Sequence, residues 1–461
     1  MGQDRGQWAS RVGFVLAVAG SAIGLGNLWK FPYVTWQNRG GGFVLIYVIC
    51  VTVVGLPIMM AEMLIGRRTR RNPVGAMRAA AGPRWVWVGG LGVLTGFVIL
   101  GYYTVVAGWT IRYFFRCLGW SLAGYAPGAS SSEAFGAFVA SGGVQILLSA
   151  VFMGFTMSVI YAGVGGGIER VARQLMPVLF GILVLLLISA LTMDGAGRAL
   201  AFLFVPRLDA LPARGVLEAL GQAFFSLSLG MGAIITYGSY MGRDQSVVRS
   251  SVAVVVLDTL IAVLAAVIMF SVIFSTAGME EQIGKSTAGM LFITLPELFY
   301  TVVPLGRLLA PLFYVLVGFA ALTSTISLLE VIVAYFIDEL GWSRRRATTL
   351  CGLACFLLTI LCGLSLGAAG PLSNLRIFAG KSGLFVTLDH LASNWMLPVG
   401  GFFITLAAGW IMSRDATRGE LIDATTPSFF RYGLWRLFIR FLAPASVAAI
   451  IAGVIGGMDF S

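Results

Sequence analysis

Apolar residues run in long blocks along the whole chain, and short polar or charged stretches separate the blocks. Most blocks reach about 20 residues, the length that an α-helix needs to cross a membrane. The pattern predicts about eleven transmembrane helices, called spans 1 to 11 here. Their predicted ranges are 11–37, 42–66, 86–116, 141–161, 166–193, 217–242, 247–277, 303–340, 345–366, 384–412 and 432–457. Residues 276–302 are expected to form short helices outside the membrane.

The composition supports a polytopic membrane protein. The 461 residues are 58% hydrophobic and only 11% charged, and the mean hydropathy is +0.91, far above that of soluble proteins. No stretch indicates a separate soluble domain, so residues 1–461 are interpreted as one transmembrane domain in a lipid bilayer. The first apolar block lacks a small-residue cleavage site and is not interpreted as a removable signal peptide.

The net charge of +11 is explained by membrane topology. The arginines are spread over separate short loops, as in the cluster at 67–84 and the run 344–346, and they form no single stripe for nucleic acid. The positive-inside rule then places the amino terminus in the cytoplasm and Ser461 outside. The five cysteines lie in or beside apolar helices and are interpreted as buried thiols. No arrangement of nucleophile and base indicates an enzyme.

Two of the predicted spans contain a helix-breaking stretch. In span 1 it is Ser21 to Asn27, with Gly24 and Gly26, and in span 6 it is Ser226 to Gly232. Lipid cannot satisfy free backbone groups, so broken helix at membrane depth must line a cavity or be buried in protein. The alternative is that these glycines only permit close helix packing.

The two breaks occupy matching positions in two five-span sets. Repeat one covers about 5–193, repeat two about 217–412, and an extra helix follows at about 432–457. Because each repeat has an odd number of spans, the second repeat is inverted in the membrane relative to the first. Helix breaks at matching positions of two such repeats indicate a transporter site near the membrane midplane. The amino-terminal end of a half-helix suits a carboxylate. Backbone carbonyl groups that lose their helix hydrogen bonds suit a small cation. The two broken helices together can therefore hold an anion and sodium.

Several long stretches resemble the neurotransmitter:sodium symporter family, in its bacterial amino-acid-transporting branch. They are WASRVGFVLAVAGSAIGLGNLWKFPY, GGGFVLIYVICVTVVGLPIMMAEMLIGR, GQAFFSLSLGMGAIITYGSY and FAALTSTISLLE. The resemblance implies an all-α, LeuT-like inverted 5+5 repeat with discontinuous helices 1 and 6. It also implies a sodium-coupled symporter in the inner membrane of a bacterium. The family's twelfth helix is not predicted, which favours a monomer or a weak dimer.

The resemblance implies two Na⁺ ions. The first would be held by Ala22, Asn27, Ser226 and Asp258, and the second by Gly20, Ile23, Ala320, Thr323 and Ser324. Asp258 departs from the asparagine found in many members. Tyr47, Gln222 and Ser226 match chloride-contacting positions, so the Asp258 carboxylate is expected to replace chloride. The alternative is that Asp258 is only a structural acid.

The resemblance also implies a substrate pocket. Its residues are Ser21, Ala22, Gly24, Leu25, Gly26, Ile99, Tyr103, Phe225, Ser226, Ser228, Met231, Ser324 and Leu328. Amine-carrying relatives have an aspartate where this chain has Gly24, so a zwitterionic substrate is favoured. Met231 adapts to irregular shapes, which favours bulky aliphatic or aromatic neutral L-amino acids. Another small zwitterionic or amine solute, or a sensor that does not transport, remains the alternative.

By the same resemblance, two gates and one flexible helix complete an expected alternating-access mechanism. Outside, Lys30 and Asp389 form a charged latch above Tyr103 and Phe225. Inside, the resemblance pairs Arg5 with Asp338, and Trp8, Ser239 and Tyr240 pack around them. Gly167 and Pro177 allow span 5 to unwind, and Glu62 accepts hydrogen bonds from broken span 6. Glu330 has no assigned role, and His390 is interpreted as a bystander.

Overall fold

The computed structural model describes residues 6–126, 131–276, 278, 289–422 and 426–460. Over these residues the chain is helical and contains no β-strand. The continuous spans are Gly41–Thr69 (span 2), Pro83–Ala123 (3), Gly142–Tyr161 (4), Val164–Leu191 (5), Val247–Phe274 (7), Gly306–Leu340 (8), Arg344–Leu364 (9), Leu384–Ile411 (10) and Tyr432–Ile455 (11). Shorter helices are Pro73–Ala81, Ser131–Val139, Ala196–Phe204, Leu291–Thr301, Gly370–Ser373 and Arg414–Leu421.

Span 1 is broken where the sequence predicts it. Helix Arg11–Ala22 ends at Ile23, whose backbone is extended, and the chain resumes as Gly26–Gln37 at an angle of 54°. The Ser10 hydroxyl caps the first half by accepting a hydrogen bond from Gly13 N. The break therefore lies far from either end of the span, in buried protein.

Span 6 is broken in the same way. It consists of Gly215–Ser226 and Ala233–Ser239, each too short to cross a bilayer alone. Between them Ser228, Gly230 and Gly232 have positive φ angles of 54°, 84° and 78°. Glycine adopts such angles without a steric penalty, so the two glycines make the turn possible.

Close packing is an additional role of some of these glycines. A Cβ atom on Gly230 would lie 2.3 Å from the Leu397 carbonyl oxygen of span 10. On Gly66 of span 2 it would lie 2.1 Å from the Ile235 carbonyl oxygen of span 6. The packing interpretation and the broken-helix interpretation are thus both correct at Gly230.

Span 3 is longer than predicted and extends to Ala123 instead of residue 116. Arg116 lies within the helix, and its guanidinium stacks over the ring of Trp120, one turn further on, at 4.4 Å. Spans 3 and 8 are the longest helices and pack along each other. Helices Arg11–Ala22 of span 1 and Ala233–Ser239 of span 6 both pack against span 8.

Candidate functional site

The two breaks face each other and are joined by hydrogen bonds. The Ser228 hydroxyl donates to the Ser21 carbonyl oxygen at 3.0 Å. From span 2, the buried Glu62 accepts a hydrogen bond from Gly230 N at 2.7 Å, the contact expected from the resemblance. The Glu62 side chain therefore accepts a hydrogen bond from a backbone N–H group that has no partner within the broken helix.

One buried cavity lies between the breaks, and all thirteen predicted substrate-pocket residues line it. Ser327 is a further lining residue that the sequence analysis missed. Its hydroxyl accepts from Ser21 Oγ at 2.8 Å and donates to the Ser324 carbonyl at 2.9 Å. Residues three apart share one face of a helix, so the Ser324–Ser327 spacing is the signal that could have found it.

The proposed first sodium group is closely connected. Asn27 Nδ2 donates to Asp258 Oδ1 at 2.8 Å and to Ser226 Oγ at 3.1 Å, and Ser226 Oγ donates to Asp258 Oδ2 at 2.8 Å. Asp258 is fully buried in span 7. The structure thus brings together residues from spans 1, 6 and 7 whose side-chain oxygens are donors that a hard cation prefers.

The proposed second sodium group lies between spans 1 and 8. The Ala320 carbonyl accepts from Thr323 Oγ1 at 3.0 Å and from Ser324 Oγ at 3.2 Å. A Cβ atom on Gly20 would lie 3.1 Å from Thr323 Cβ, so the two backbones approach closely. The helix ends at Ile23, which frees nearby carbonyl groups of span 1 for a cation.

A second cavity, called the outer cavity here, lies beyond Tyr103 and Phe225. Its lining residues are Leu25, Gly26, Trp29, Lys30, Tyr102, Tyr103, Val106, Trp109, Phe225, Phe385 and Asp389. The structure describes both Lys30 and Asp389, and these two residues do not form the expected ion pair. Lys30 Nζ lies 4.2 Å from the centre of the Phe225 ring and donates to the Phe460 carbonyl, while Asp389 accepts from Ser393 Oγ at 3.1 Å.

On the inner side, Arg5 lies outside the described residues, so its predicted pair with Asp338 has no structural description. Asp338 accepts hydrogen bonds from Asn72 N and Nδ2 at 2.8 and 3.2 Å. The Trp8 indole donates to the Tyr237 carbonyl at 3.0 Å, and Trp8 N donates to the Tyr240 carbonyl at 3.3 Å. The amino-terminal segment is therefore held against the second half of span 6.

Glu330, which had no role in the sequence analysis, is the centre of a buried ion pair. Arg344 Nη1 and Nη2 lie 2.8 and 2.9 Å from its two carboxylate oxygens, and Tyr240 Oη donates to it at 2.7 Å. Glu330 and Arg344 belong to spans 8 and 9. The pair links these two helices to span 6 through Tyr240.

The start of span 5, which includes Gly167, has irregular backbone. Gly163 has a φ of +83°, and the first turn, Val164–Glu169, is wider than an α-helical turn. Pro177 lies within the following helix. Glu169 accepts hydrogen bonds from Ala9 N at 2.6 Å and from Ser10 Oγ at 2.8 Å, so this turn also holds the amino-terminal segment.

An all-α membrane protein with two broken helices around one buried cavity is a secondary transporter by its architecture. Comparison with known proteins then gives the family. The family description "Sodium:neurotransmitter symporter family" matches residues 5–134 and 135–459. The chain belongs to this family of sodium-dependent transporters, and the resemblance seen in the sequence is confirmed.

Similar proteins cover almost the whole chain. An uncharacterized sodium-dependent transporter of Bacillus subtilis (strain 168), YhdH, is 36% identical over 98% of each chain. One from Haemophilus influenzae is 30% identical over 97% of this chain and 98% of its own. The crystal structure of MhsT in complex with L-phenylalanine matches with a TM-score of 0.87 and 39% identity, covering 97% of this chain and 99% of that one. The predicted fold class is therefore confirmed, and the relatives are transporters, not enzymes.

Proposed function

We propose that this protein imports neutral hydrophobic L-amino acids together with two sodium ions. The observation that carries this proposal is the cavity between the two breaks, which combines helix ends with an apolar region. The similar structure of MhsT was solved with L-phenylalanine bound. The proposal includes an inner-membrane location with a cytoplasmic amino terminus, as the arginine distribution indicates.

A zwitterion suits the cavity better than a simple amine. The helix Gly26–Gln37 begins at the cavity, and the amino-terminal end of a helix attracts a carboxylate. None of the described residues that line the cavity is Asp or Glu, so an amine without its own carboxylate would lack a counter-charge. Carbonyl groups at the ends of Arg11–Ala22 and Gly215–Ser226 are suited to the substrate amine.

The remaining part of the cavity suits a hydrophobic side chain. Ile99, Met231 and Leu328 supply apolar surface, and Phe225 covers it. A Cβ atom on Gly24 would lie 2.8 Å from Ser324 Oγ and 3.0 Å from the Tyr103 hydroxyl, so this position must stay small. The glycine therefore leaves room for the substrate backbone, and selectivity rests on the opposite, apolar end.

A competition panel tests the substrate class. In proteoliposomes with an inward sodium gradient, we expect leucine, phenylalanine or tryptophan to inhibit uptake of a labelled hydrophobic amino acid at concentrations at least about tenfold lower than glycine needs, because burying a large apolar side chain contributes about 1.5–3 kcal/mol. Glycine, lysine and glutamate should compete weakly. Potassium in place of sodium should abolish uptake. Competition by glycine or charged amino acids alone would contradict the proposal, and binding without accumulation would favour a sensor.

Inward release is proposed to involve unwinding at the start of span 5. Gly167→Ala is a poor test, because its Cβ would lie 2.1 Å from the Val159 carbonyl oxygen and disturb packing with span 4. Pro177→Ala is cleaner, because Pro177 is exposed and alanine restores a helix hydrogen bond.

We expect Pro177→Ala to slow uptake by about tenfold or more, since proline in a helix interior costs about 3 kcal/mol relative to alanine. Equilibrium binding of sodium and amino acid should stay unchanged. The measurement compares initial uptake rates with binding in detergent, and Val178→Ala, at the neighbouring exposed position, is the control. Uptake by Pro177→Ala at the rate of the control would exclude unwinding at this site.

A further inference from the structure

The segment 456–460, which follows span 11, folds back onto Lys30, a residue that lines the outer cavity, and is called the tail here. Phe460 is buried. Its N–H donates to Asn394 Oδ1 at 2.7 Å, and its carbonyl accepts the hydrogen bond from Lys30 Nζ. The tail thus bonds to span 10 through one peptide group and to span 1 through the next.

Asp459 strengthens the attachment to span 10 and the loop before it. Its carboxylate accepts from Asn394 Nδ2 at 2.9 Å, forms an ion pair with Lys381, and lies 3.3 Å from His390 Nδ1. Asn394 therefore uses its amide group to hold two successive tail residues. The tail therefore makes four polar contacts with span 10 and the loop before it, with Lys381, His390 and twice with Asn394, but only the Lys30 contact with span 1. Most of its polar attachment is on the span 10 side.

The Phe460 ring packs on the other side, against span 6. A Cβ atom on Gly221 would lie 2.7 Å from the ring atom Cδ1 of Phe460. Any residue larger than glycine at position 221 would therefore clash with the Phe460 ring. Spans 1 and 6 are broken, whereas span 10 is continuous over Leu384–Ile411, so we expect alternating access to move the broken spans against span 10.

We propose that the tail is part of the outer gate. It joins Lys30 and Gly221 of the broken helices to Asn394 of span 10, and Lys30 bonds to it instead of to Asp389. This inference rests on the proposed transport function. When the outer cavity opens, spans 1 and 6 separate from span 10, and the tail detaches from Lys30 while the charged contacts of Asp459 keep it on span 10.

A cysteine in the outer cavity measures this opening. Val106 lines the cavity and is only 3% exposed, while the five native cysteines are buried. In solubilised Val106→Cys protein with sodium present, a charged maleimide should label Cys at this position only when the cavity opens. Adding Asp459→Asn should speed labelling by about threefold to tenfold, the equivalent of one lost hydrogen bond. Phe460→Ala keeps both backbone hydrogen bonds of residue 460 but removes the ring that packs against Gly221, and it should speed labelling by at least as much.

Controls separate this inference from the proposed function. Asp415→Asn makes the same chemical change at an exposed residue of the helix Arg414–Leu421 and should leave the labelling rate unchanged. Gly221→Ala displaces the Phe460 ring from the opposite side, and it should speed labelling even if one tail variant fails to fold. Gel filtration identifies folded variants.

Amino-acid uptake by the same proteins in proteoliposomes is measured in parallel. If the parent protein transports, and the folded tail variants label no faster than Asp415→Asn, the gate role of the tail is wrong. If the parent protein shows no sodium-dependent uptake, the proposed function fails, and the labelling rates still decide whether the tail closes the outer cavity.

Discussion

Asp258→Asn is expected to reduce uptake in chloride-free buffer by about tenfold to a hundredfold, the equivalent of losing a hydrogen-bonded charge worth about 1.5–3 kcal/mol. In the folded protein both carboxylate oxygens accept hydrogen bonds at 2.8 Å, from Asn27 and from Ser226. An asparagine side chain would direct an N–H group at one of these donors. It would also remove the only negative side chain of the first sodium group.

Chloride is expected to restore part of this loss. Among the described residues, the buried Tyr47 hydroxyl and Gln222 Oε1 have no hydrogen-bond partner. The hydroxyl could turn toward an anion once the Asp258 charge is gone. Uptake should be measured with chloride and with gluconate, and Asp209→Asn at an exposed loop position is the matched control. Full chloride-free uptake by Asp258→Asn would show that Asp258 is only a structural acid.

Arg344→Gln is expected to cause the largest loss of stability, about 3 kcal/mol, the lower end of the range for breaking a buried ion pair. The lower end applies because the Arg344 side chain is 24% exposed, whereas Glu330 is 0% exposed. Without Arg344, the Glu330 carboxylate keeps the Tyr240 hydroxyl but loses both guanidinium contacts. The melting temperature of the solubilised protein should fall clearly.

Three further variants show whether the ion pair is the cause. Arg78 pairs with Glu339 at 3.0 Å but is 42% exposed, so Arg78→Gln should cost less than about 1 kcal/mol. Arg344→Lys should be intermediate, because lysine cannot form the bidentate contact. The double variant Glu330→Gln, Arg344→Gln should recover most of the melting temperature. Equal melting of Arg344→Gln and Arg78→Gln would show that the pair has no special role.

The broken helices were predictable because their cause is local. Gly24 and Gly26 weaken span 1, and Gly230 and Gly232 weaken span 6, within windows long enough to cross a membrane. The predicted pocket residues could be named because the resemblance supplied their positions. The resemblance did not supply Ser327, although its spacing of three residues from Ser324 indicated that both lie on the same face of the helix.

The contacts between distant spans were not predictable in this way. Glu330–Arg344 depends on how spans 8 and 9 turn toward each other, and the Lys30–Phe460 contact depends on how the tail returns over span 10. Lys30 therefore has a different partner from the one predicted. A single sequence contains no information on the rotation of each helix about its axis, and that rotation decides such pairs.

The sequence by itself determined the membrane class, the approximate spans, the two breaks and the family. The membrane class, the spans and the breaks follow from local hydrophobicity and glycine placement, which act within one helix and need no partner. The family follows from the resemblance of four long stretches of sequence. The tertiary structure alone decided the contacts that the resemblance had not supplied: the partner of Glu330, the partner of Lys30 and the position of the tail. Such contacts join residues far apart in the chain, and only the packing of whole helices against one another brings them within hydrogen-bond distance.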